Sequence, residues 1–296
     1  MLALLLACTP TDALLSMADA QVVGTHNSYH VNIVDFQPWN YTHPPLDEQV
    51  VTGIRQFELD GAWEDGGWPV YHIADLDDGT NCVDMEACLA DLERGSEQVP
   101  DHLPILVLLE LKTDPEADAD VAMAALEDAV LASIGLEGLL TPADLQGDAA
   151  TLQDAMADGW PVLEGQRGRI IAAVHSRGWV GYVDDASPLF VDVHGDLEDP
   201  RAAIHSMNEP EDPHIAEVVA AGHLVRTRSD ADVIEPELND TTRRDTALAS
   251  GATFVSTDFP VPHPTTGFVV SVGDGPARCN PVHTNTKCTP ERLEPY

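Results

Sequence analysis

The chain has 296 residues, enough for one large domain or two ordinary ones, with a sizeable core. Asp and Glu number 51 against 14 Lys and Arg, a formal net charge of -37. That balance argues against nucleic acid as a partner, which needs a basic footprint, and against docking on an anionic membrane by charge alone. An anionic substrate has to be held by a cation or by a local cluster of the few basic side chains.

The apolar run Leu2 to Ala7 is too short to span a bilayer. It reads as the end of a signal peptide, and Leu5-Leu6-Ala7-Cys8 resembles a bacterial lipoprotein cleavage box with Cys8 as the lipidated residue. No other stretch is long and apolar enough to cross a membrane. The close spacing of Cys82 with Cys88, and of Cys279 with Cys288, predicts two small disulfide loops and an oxidising compartment. A secreted or cell-envelope location follows, with a lipid anchor through Cys8.

Gln21 to Gly24 is the first predicted strand, and it delivers His26 and Asn27. Asn32 to Pro45 is an aromatic, proline-bearing loop containing Phe36, Trp39 and Tyr41. Leu46 to Thr52 has helical spacing and stops at Gly53. Ile54 to Asp60 is a second strand and Trp68 to Ile73 a third, followed by an acidic loop and a helix over Val83 to Leu92. Pro104 to Lys112 is the clearest strand, apolar enough to be covered on both faces as in a parallel sheet. An Ala-rich helix then runs from Asp114 to about Ile134, with shorter helical stretches beginning at Thr141 and Thr151. Gly168 to Val174 is the fifth strand and Pro188 to Val193 the sixth; Ala202 to Ala221 reads as mainly helical. Leu224 to Arg228 is the seventh strand, Thr241 to Ser250 a helix, and Thr253 to Thr257 the eighth strand. From Pro260 the chain is a strapped-down tail rich in Gly and Pro.

Strands alternating with helices argue for a parallel sheet. Eight of them argue for an irregular (β/α)8 TIM-type barrel, a single α/β domain over 19–296 after a leader and lead-in over 1–18. A doubly wound open sheet is the rival, weakened because no Gly-x-Gly-x-x-Gly follows the first strand.

In such a barrel the carboxyl ends of the strands converge on one mouth. They bring His26, Asn27, Glu58, Asp60, His72, Glu110, Lys112, Arg226, Arg228 and Asp258. Glu58 and Asp60 lie two apart and share a face, a costly pairing unless a cation or proton sits between them. The oxygen donors Asn27, Glu58, Asp60 and Glu110 suit a hard cation, Ca2+ or Mg2+ rather than Zn2+. His26 and His72 remain for proton transfer. Lys112, Arg226 and Arg228 could hold a phosphate. His175 and His194 also end strands, but nothing in the sequence ties them to this set, and they are left out of it. A metal, two histidines and a cationic clamp describe phosphodiester cleavage.

The spaced set Gly24-Thr25-His26-Asn27-Ser28-Tyr29, Phe57-Glu58-Leu59-Asp60, Val70-Tyr71-His72, Leu109-Glu110-Leu111-Lys112 and Ser256-Thr257-Asp258-Phe259-Pro260 resembles the bacterial Ca2+-dependent phosphatidylinositol-specific phospholipase C family. The resemblance spans about Val22 to Pro260. It implies an irregular TIM-like barrel in which Asn27, Glu58, Asp60 and Glu110 hold Ca2+. It also implies attack of the inositol 2-hydroxyl on phosphorus, giving diacylglycerol and a cyclic inositol phosphate. His72 would protonate the leaving oxygen. His26 would take the attacking proton or stabilise the pentacovalent phosphorus, with one of the carboxylates as the other candidate base. Lys112 and Arg228 would hold the phosphate or head group, with Asp258 beside them. The implied partner is a phospholipid at a membrane surface, met by a monomer, with Phe36, Trp39 and Tyr41 touching the bilayer. The Glu110-x-Lys112 pattern is also similar to the glycerophosphodiester phosphodiesterases, so a soluble diesterase is the alternative. A non-catalytic lipoprotein that binds Ca2+ or another ligand is the third reading.

Overall fold

Ile105-Leu106-Val107-Leu108-Leu109 is apolar at every position, and a strand of that kind needs cover on both faces. In the computed structural model, which describes residues 14–295, this run forms most of β3 (Ile105–Leu111). β3 pairs in parallel with β2 (Gln56–Gly61) and β4 (Ile170–Val174). The other parallel strands are β1 (Ala20–Thr25), β5 (Phe190–Val191), β6 (Ile204–Ser206), β7 (Leu224–Arg228) and β8 (Phe254–Thr257). Their order around the sheet is β5-β4-β3-β2-β1-β8-β7-β6. A parallel bridge between Asp192 and Ile204 joins the two ends. The result is a nearly closed TIM-type barrel of eight parallel strands in one α/β domain.

Two of the expected elements fall differently. Trp68 to Ile73 is not a barrel strand. It folds back through single antiparallel bridges, Gly61 to Val70, Pro69 to Asp84 and Ile73 to Asp77, so His72 sits on the loop after β2. Its apolar alternation served this local fold and not the sheet. Conversely, Ala202 to Ala221 is not mainly helical. Ile204–Ser206 is β6, and the helix α6 begins only at His214 and runs to Ala220. A three-residue strand is too short for its alternation to show against the helix that follows.

The barrel is irregular between β1 and β2, which meet in register only at Gly24 and Gln56. A Cβ on Gly24 would lie 2.1 Å from Gln56 Oε1, so only glycine lets that side chain fill the gap. The tail supplies β9 (Ala277–Cys279), antiparallel on the lower part of β1. The disulfides Cys82–Cys88 and Cys279–Cys288 are both formed. Such bonds persist in oxidising compartments. Among the described residues no helix is long and apolar enough to cross a membrane. Cys8 lies outside the described residues. Leu15 and Met17, in the expected lead-in, are buried in the core.

Core packing follows the period of two along each strand. Ile105, Val107 and Leu109 of β3 pack outward against Met123 and Leu126 of α3 (Ala119–Ser133) and Leu89 of α2 (Met85–Gln98). Leu106 and Leu108 pack with Val22, Ile171, Ala173, Leu224 and Phe254, residues of four other strands that meet β3 only inside the barrel. Continue each inward row toward the carboxyl ends and it turns polar. Leu106 and Leu108 lead to Glu110 and Lys112; Leu224 leads to Arg226 and Arg228; Phe254 leads to Ser256 and Asp258. The barrel is greasy at its floor and charged at its mouth.

Candidate active site

On β2 the inward row is Gln56, Glu58 and Asp60, and Asp60 pairs with Glu110 of β3. Glu58 and Asp60 are buried and Glu110 is half-buried. Two cations answer these three carboxylates. Lys112 Nζ lies 2.8 Å from both Asp60 and Glu110. The contact to Glu110 is a hydrogen bond. The one to Asp60 is close but misaligned, and neither Asp60 oxygen has a hydrogen-bond partner among the described residues. Arg226, which is itself buried, pairs with Glu58 and with Asn208, and reaches Ser256 Oγ at 3.2 Å. Arg226 is therefore a structural counter-ion of Glu58.

The electrostatics follow from this packing. Burial, and then the neighbouring Glu110, push Asp60 up to about 7. Burial would also raise Glu110, but the Lys112 ammonium overrides it and draws that carboxyl down to about 2. Burial opposes the Lys112 charge, and the two carboxylates more than compensate. Three carboxylates with two unshared buried oxygens on Asp60 are hard donors that fit a divalent cation. Asn27 is buried one residue past His26, its backbone at φ 42°, and its Nδ2 donates to the Tyr41 hydroxyl at 3.1 Å.

His26 is fixed on both sides. Its Nδ1 donates to Asp258 Oδ1 at 2.8 Å, and Arg228 donates to its Nε2 at 3.2 Å. Arg228 also reaches Asp258 Oδ2 at 3.3 Å. Burial, and then the Arg228 charge, hold His26 well below the ordinary imidazole value. The ring is neutral, with its Nε2 lone pair at the mouth. His43, itself held down to about 4 by burial, donates to the His26 carbonyl at 3.0 Å. Under Asp258 lies buried Asp230, whose Oδ2 accepts from the Asp258 backbone N–H at 3.1 Å. Burial and the Asp258 charge raise Asp230 to about 7.

His72 arrives from the loop, yet it carries the same device. Its Nδ1 donates to Asp77 Oδ2 at 2.8 Å. Asp77 is fully buried and also takes His30 Nε2 at 2.9 Å, while His30 Nδ1 donates to the Tyr41 carbonyl at 3.0 Å. His72 is tied toward His26 through Asp77, His30 and the Tyr41 ring, whose centroid lies 6.4 Å from that of His26. Trp39 stands edge-on to His72, with ring centroids 5.7 Å apart. Phe36 is half exposed, but Tyr41 is buried in the core beside His30 and is not available to a bilayer.

Sequence reasoning left out His175, and here the structure differs. His175 continues the inward row Ile171, Ala173, and comes within 4.8 Å of Glu58 and Glu110. That parity was the available signal. Asp77, Asp230 and Asn208 could not be found from sequence, because each meets its partner through loops of unrelated length.

The family model described as phosphoinositide phospholipase C, Ca2+-dependent, matches residues 61–281. It begins after His26, Asn27, Glu58 and Asp60, so those four join the site through geometry alone. A calcium-dependent phosphoinositol-specific phospholipase C from a Gram-negative Pseudomonas species, in a myoinositol complex, superposes with a TM-score of 0.66 at 17% identity, over 92% of this chain and 97% of that one. A Ca2+-dependent phosphatidylinositol-specific phospholipase C from Streptomyces antibioticus gives 0.64 at 19% identity, over 82% and 94%. A phosphatidylinositol-specific phospholipase C from Staphylococcus aureus gives 0.53 at 14%, over 86% and 91%. No curated protein matches the chain.

Proposed function

The chain belongs to the Ca2+-dependent phosphoinositide phospholipase C family, and on that premise we propose that it cleaves phosphatidylinositol to diacylglycerol and a cyclic inositol phosphate. One observation carries the reading. Two imidazoles at one mouth each have Nδ1 pinned by a buried carboxylate, His26 by Asp258 and His72 by Asp77, which turns Nε2 of each to the mouth, that of His26 capped by Arg228, a group that itself suits a phosphate. That is an acid–base pair placed beside a cluster of hard oxygen donors.

Asn27, Glu58, Asp60 and Glu110 would hold Ca2+, which when bound neutralises phosphate charge and acidifies the attacking hydroxyl. His26, neutral with its lone pair on Nε2, takes the proton of the inositol 2-hydroxyl as that oxygen attacks phosphorus. Asp258 steadies the imidazolium so formed. Arg228 turns its guanidinium to the phosphate. The bond from phosphorus to the glycerol oxygen breaks, and His72, entering as imidazolium, protonates that oxygen. Solvent then returns the proton from His26 to His72. Lys112, now between Asp60 and Glu110, would turn to the phosphate where those carboxylates hold the metal.

Large apolar side chains are exposed on the loops around this mouth. Ile33 and Phe36 follow β1, Leu76 follows β2, Ile234 and Leu238 form the ends of α7 (Ile234–Leu238) after β7, and Val261 follows β8. They support a lipid surface as the substrate's setting, met by apolar contact since a net charge of -37 forbids attraction to anionic lipid. A secreted or envelope-bound monomer, with or without lipid on Cys8, fits this use.

The test separates the two histidines by leaving group. Against phosphatidylinositol, His26→Asn and His72→Asn should each lose about 10²- to 10⁴-fold in kcat. Against an inositol phosphodiester with a nitrophenol leaving group, which needs no acid, His72→Asn should recover most of its loss and His26→Asn should not. Equal recovery by both variants contradicts the assigned roles. Faster turnover of glycerophosphoinositol than of phosphatidylinositol supports the soluble-diesterase reading instead.

A further inference from the structure

We propose that His175, Asp192 and His194 form a second cation site at the barrel mouth, one that takes a borderline divalent ion of the Zn2+ class and not Ca2+. The residues follow β4 and β5 on the side of the mouth away from His26. Their ligand atoms all lie within 4.8 Å of one another.

Asp192 is fully buried and divided between two tasks. Its Oδ1 accepts from the backbone N–H groups of His194, at 2.9 Å, and Ser206, at 2.8 Å. Its Oδ2 is thereby aimed at the two imidazoles, 2.6 Å from His175 Nδ1 and 3.6 Å from His194 Nδ1. Metal-binding carboxylates are oriented by outer hydrogen bonds of this kind.

His194 makes the case specific. Its Nε2 lies 2.9 Å from the His175 carbonyl oxygen. A carbonyl only accepts, so that nitrogen carries the hydrogen. With that hydrogen committed to the carbonyl, Nδ1 is the atom turned to Asp192, and at 3.6 Å from Oδ2 it is beyond hydrogen-bond reach. The backbone at φ 49° holds the ring in that place. The gap between the imidazole nitrogen and the carboxylate oxygen is one that a cation bridges.

The donor set of two nitrogens and one oxygen selects the ion. Imidazole suits Zn2+, Co2+ and their neighbours, whereas Ca2+ takes oxygens. Ligands at Zn2+ bond lengths in a tetrahedron are roughly 3.3 Å apart. The 2.6 and 3.6 Å separations here bracket that value. Both imidazoles are slightly exposed, 13% and 14%, which leaves an entry path and room for water as a further ligand. Binding uses the Nδ1 lone pair of His175, its hydrogen being carried on Nε2 in the bound form. His175 also borders Glu58 and Glu110, so an ion here is coupled to the oxygen-rich cluster beside it. The proposal does not depend on the phospholipase reading.

Co2+ is the probe, because its visible absorption reports imidazole ligation. The full chain, saturated with Ca2+ to fill the oxygen cluster, is titrated with Co2+ at pH 7.5. One equivalent should bind. His194→Ala, which leaves the His175–Asp192 hydrogen bond intact, should weaken binding by more than about tenfold. His283→Ala, at the pair with Asp19 just before β1, should change nothing. Absence of Co2+ uptake by the wild type, uptake unaltered in His194→Ala, or uptake lost in His283→Ala each overturns the proposal. Should His194→Ala fail to fold, crystals soaked in Zn2+ decide the matter. An anomalous peak among the three side chains supports the site, and a peak elsewhere or none refutes it.

Discussion

Replacing Asp258 by Asn removes one charge and almost nothing else. The carboxylate accepts from His26 Nδ1 at 2.8 Å and from Arg228 at 3.3 Å, and it is buried. Asn keeps the shape and one acceptor. What it cannot do is balance the imidazolium that forms when His26 takes the proton, because Arg228 stays in place with the same sign of charge. Two unit charges about 4 Å apart at an effective dielectric of about 20 interact by about 4 kcal/mol. At about 1.4 kcal/mol per factor of ten, that is about 10³ in kcat. The variant should fold, since the substitution also relieves Asp230, which burial and the Asp258 charge now hold up at about 7. Substrate affinity should change little, because the lost interaction belongs to the charged transition state. The measurement is kcat and KM on a soluble inositol phosphodiester, with melting temperature as the fold check. A folded Asp258→Asn enzyme within tenfold of the wild-type kcat would refute this reasoning.

His205 and His223 form a buried pair, 2.8 Å apart, whose values burial depresses to about 3 and about 4 from an ordinary 6.5. Because the folded values are the lower ones, the unfolded chain takes up protons first as the pH falls. The pair's contribution is complete above about pH 6.5 and is lost as pH falls toward 4. Between pH 7 and 5 the wild type should lose about 3 kcal/mol more in urea unfolding than a His205→Gln/His223→Gln variant, and equal losses contradict the assignment. Cys82→Ala/Cys88→Ala opens a loop of sequence separation 6 and should cost about 2 kcal/mol. It should also depress kcat by loosening the segment that carries His72 and Asp77; an unchanged kcat removes that link. Phe36→Ser/Leu238→Ser should weaken binding to neutral vesicles by tenfold or more at unchanged activity on a soluble substrate, and unchanged vesicle binding rules out the apolar rim.

The barrel was legible because β3 and its neighbours announce themselves as long apolar runs, and because alternation by two carries straight from core to mouth. The same rule placed Glu58, Asp60, Glu110, Lys112, Arg228 and Asp258 inside before any coordinates. It failed where a strand was three residues long, at β6, and where alternation served a local bridge, at Trp68 to Ile73. The disulfides were readable from spacing, since a separation of a few residues leaves few other partners. Asp77 and Asp230 were not readable. Their roles arise when loops bring them under His72 and Asp258, and loop paths are set by many small contacts that leave no period in the sequence. His175 and His194 stood at strand ends in plain view. What sequence lacks is the closing bridge from β5 to β6, which turns Asp192 toward both.

The most direct test is phosphorus NMR of phosphatidylinositol vesicles incubated with the protein, first with Ca2+ and then with excess chelator. The account predicts a cyclic inositol phosphate signal that grows with Ca2+ and stops growing when chelator is added. A signal that grows equally in chelator would contradict Glu58, Asp60 and Glu110 as a metal cluster, and no cyclic product at all would contradict the proposed reaction.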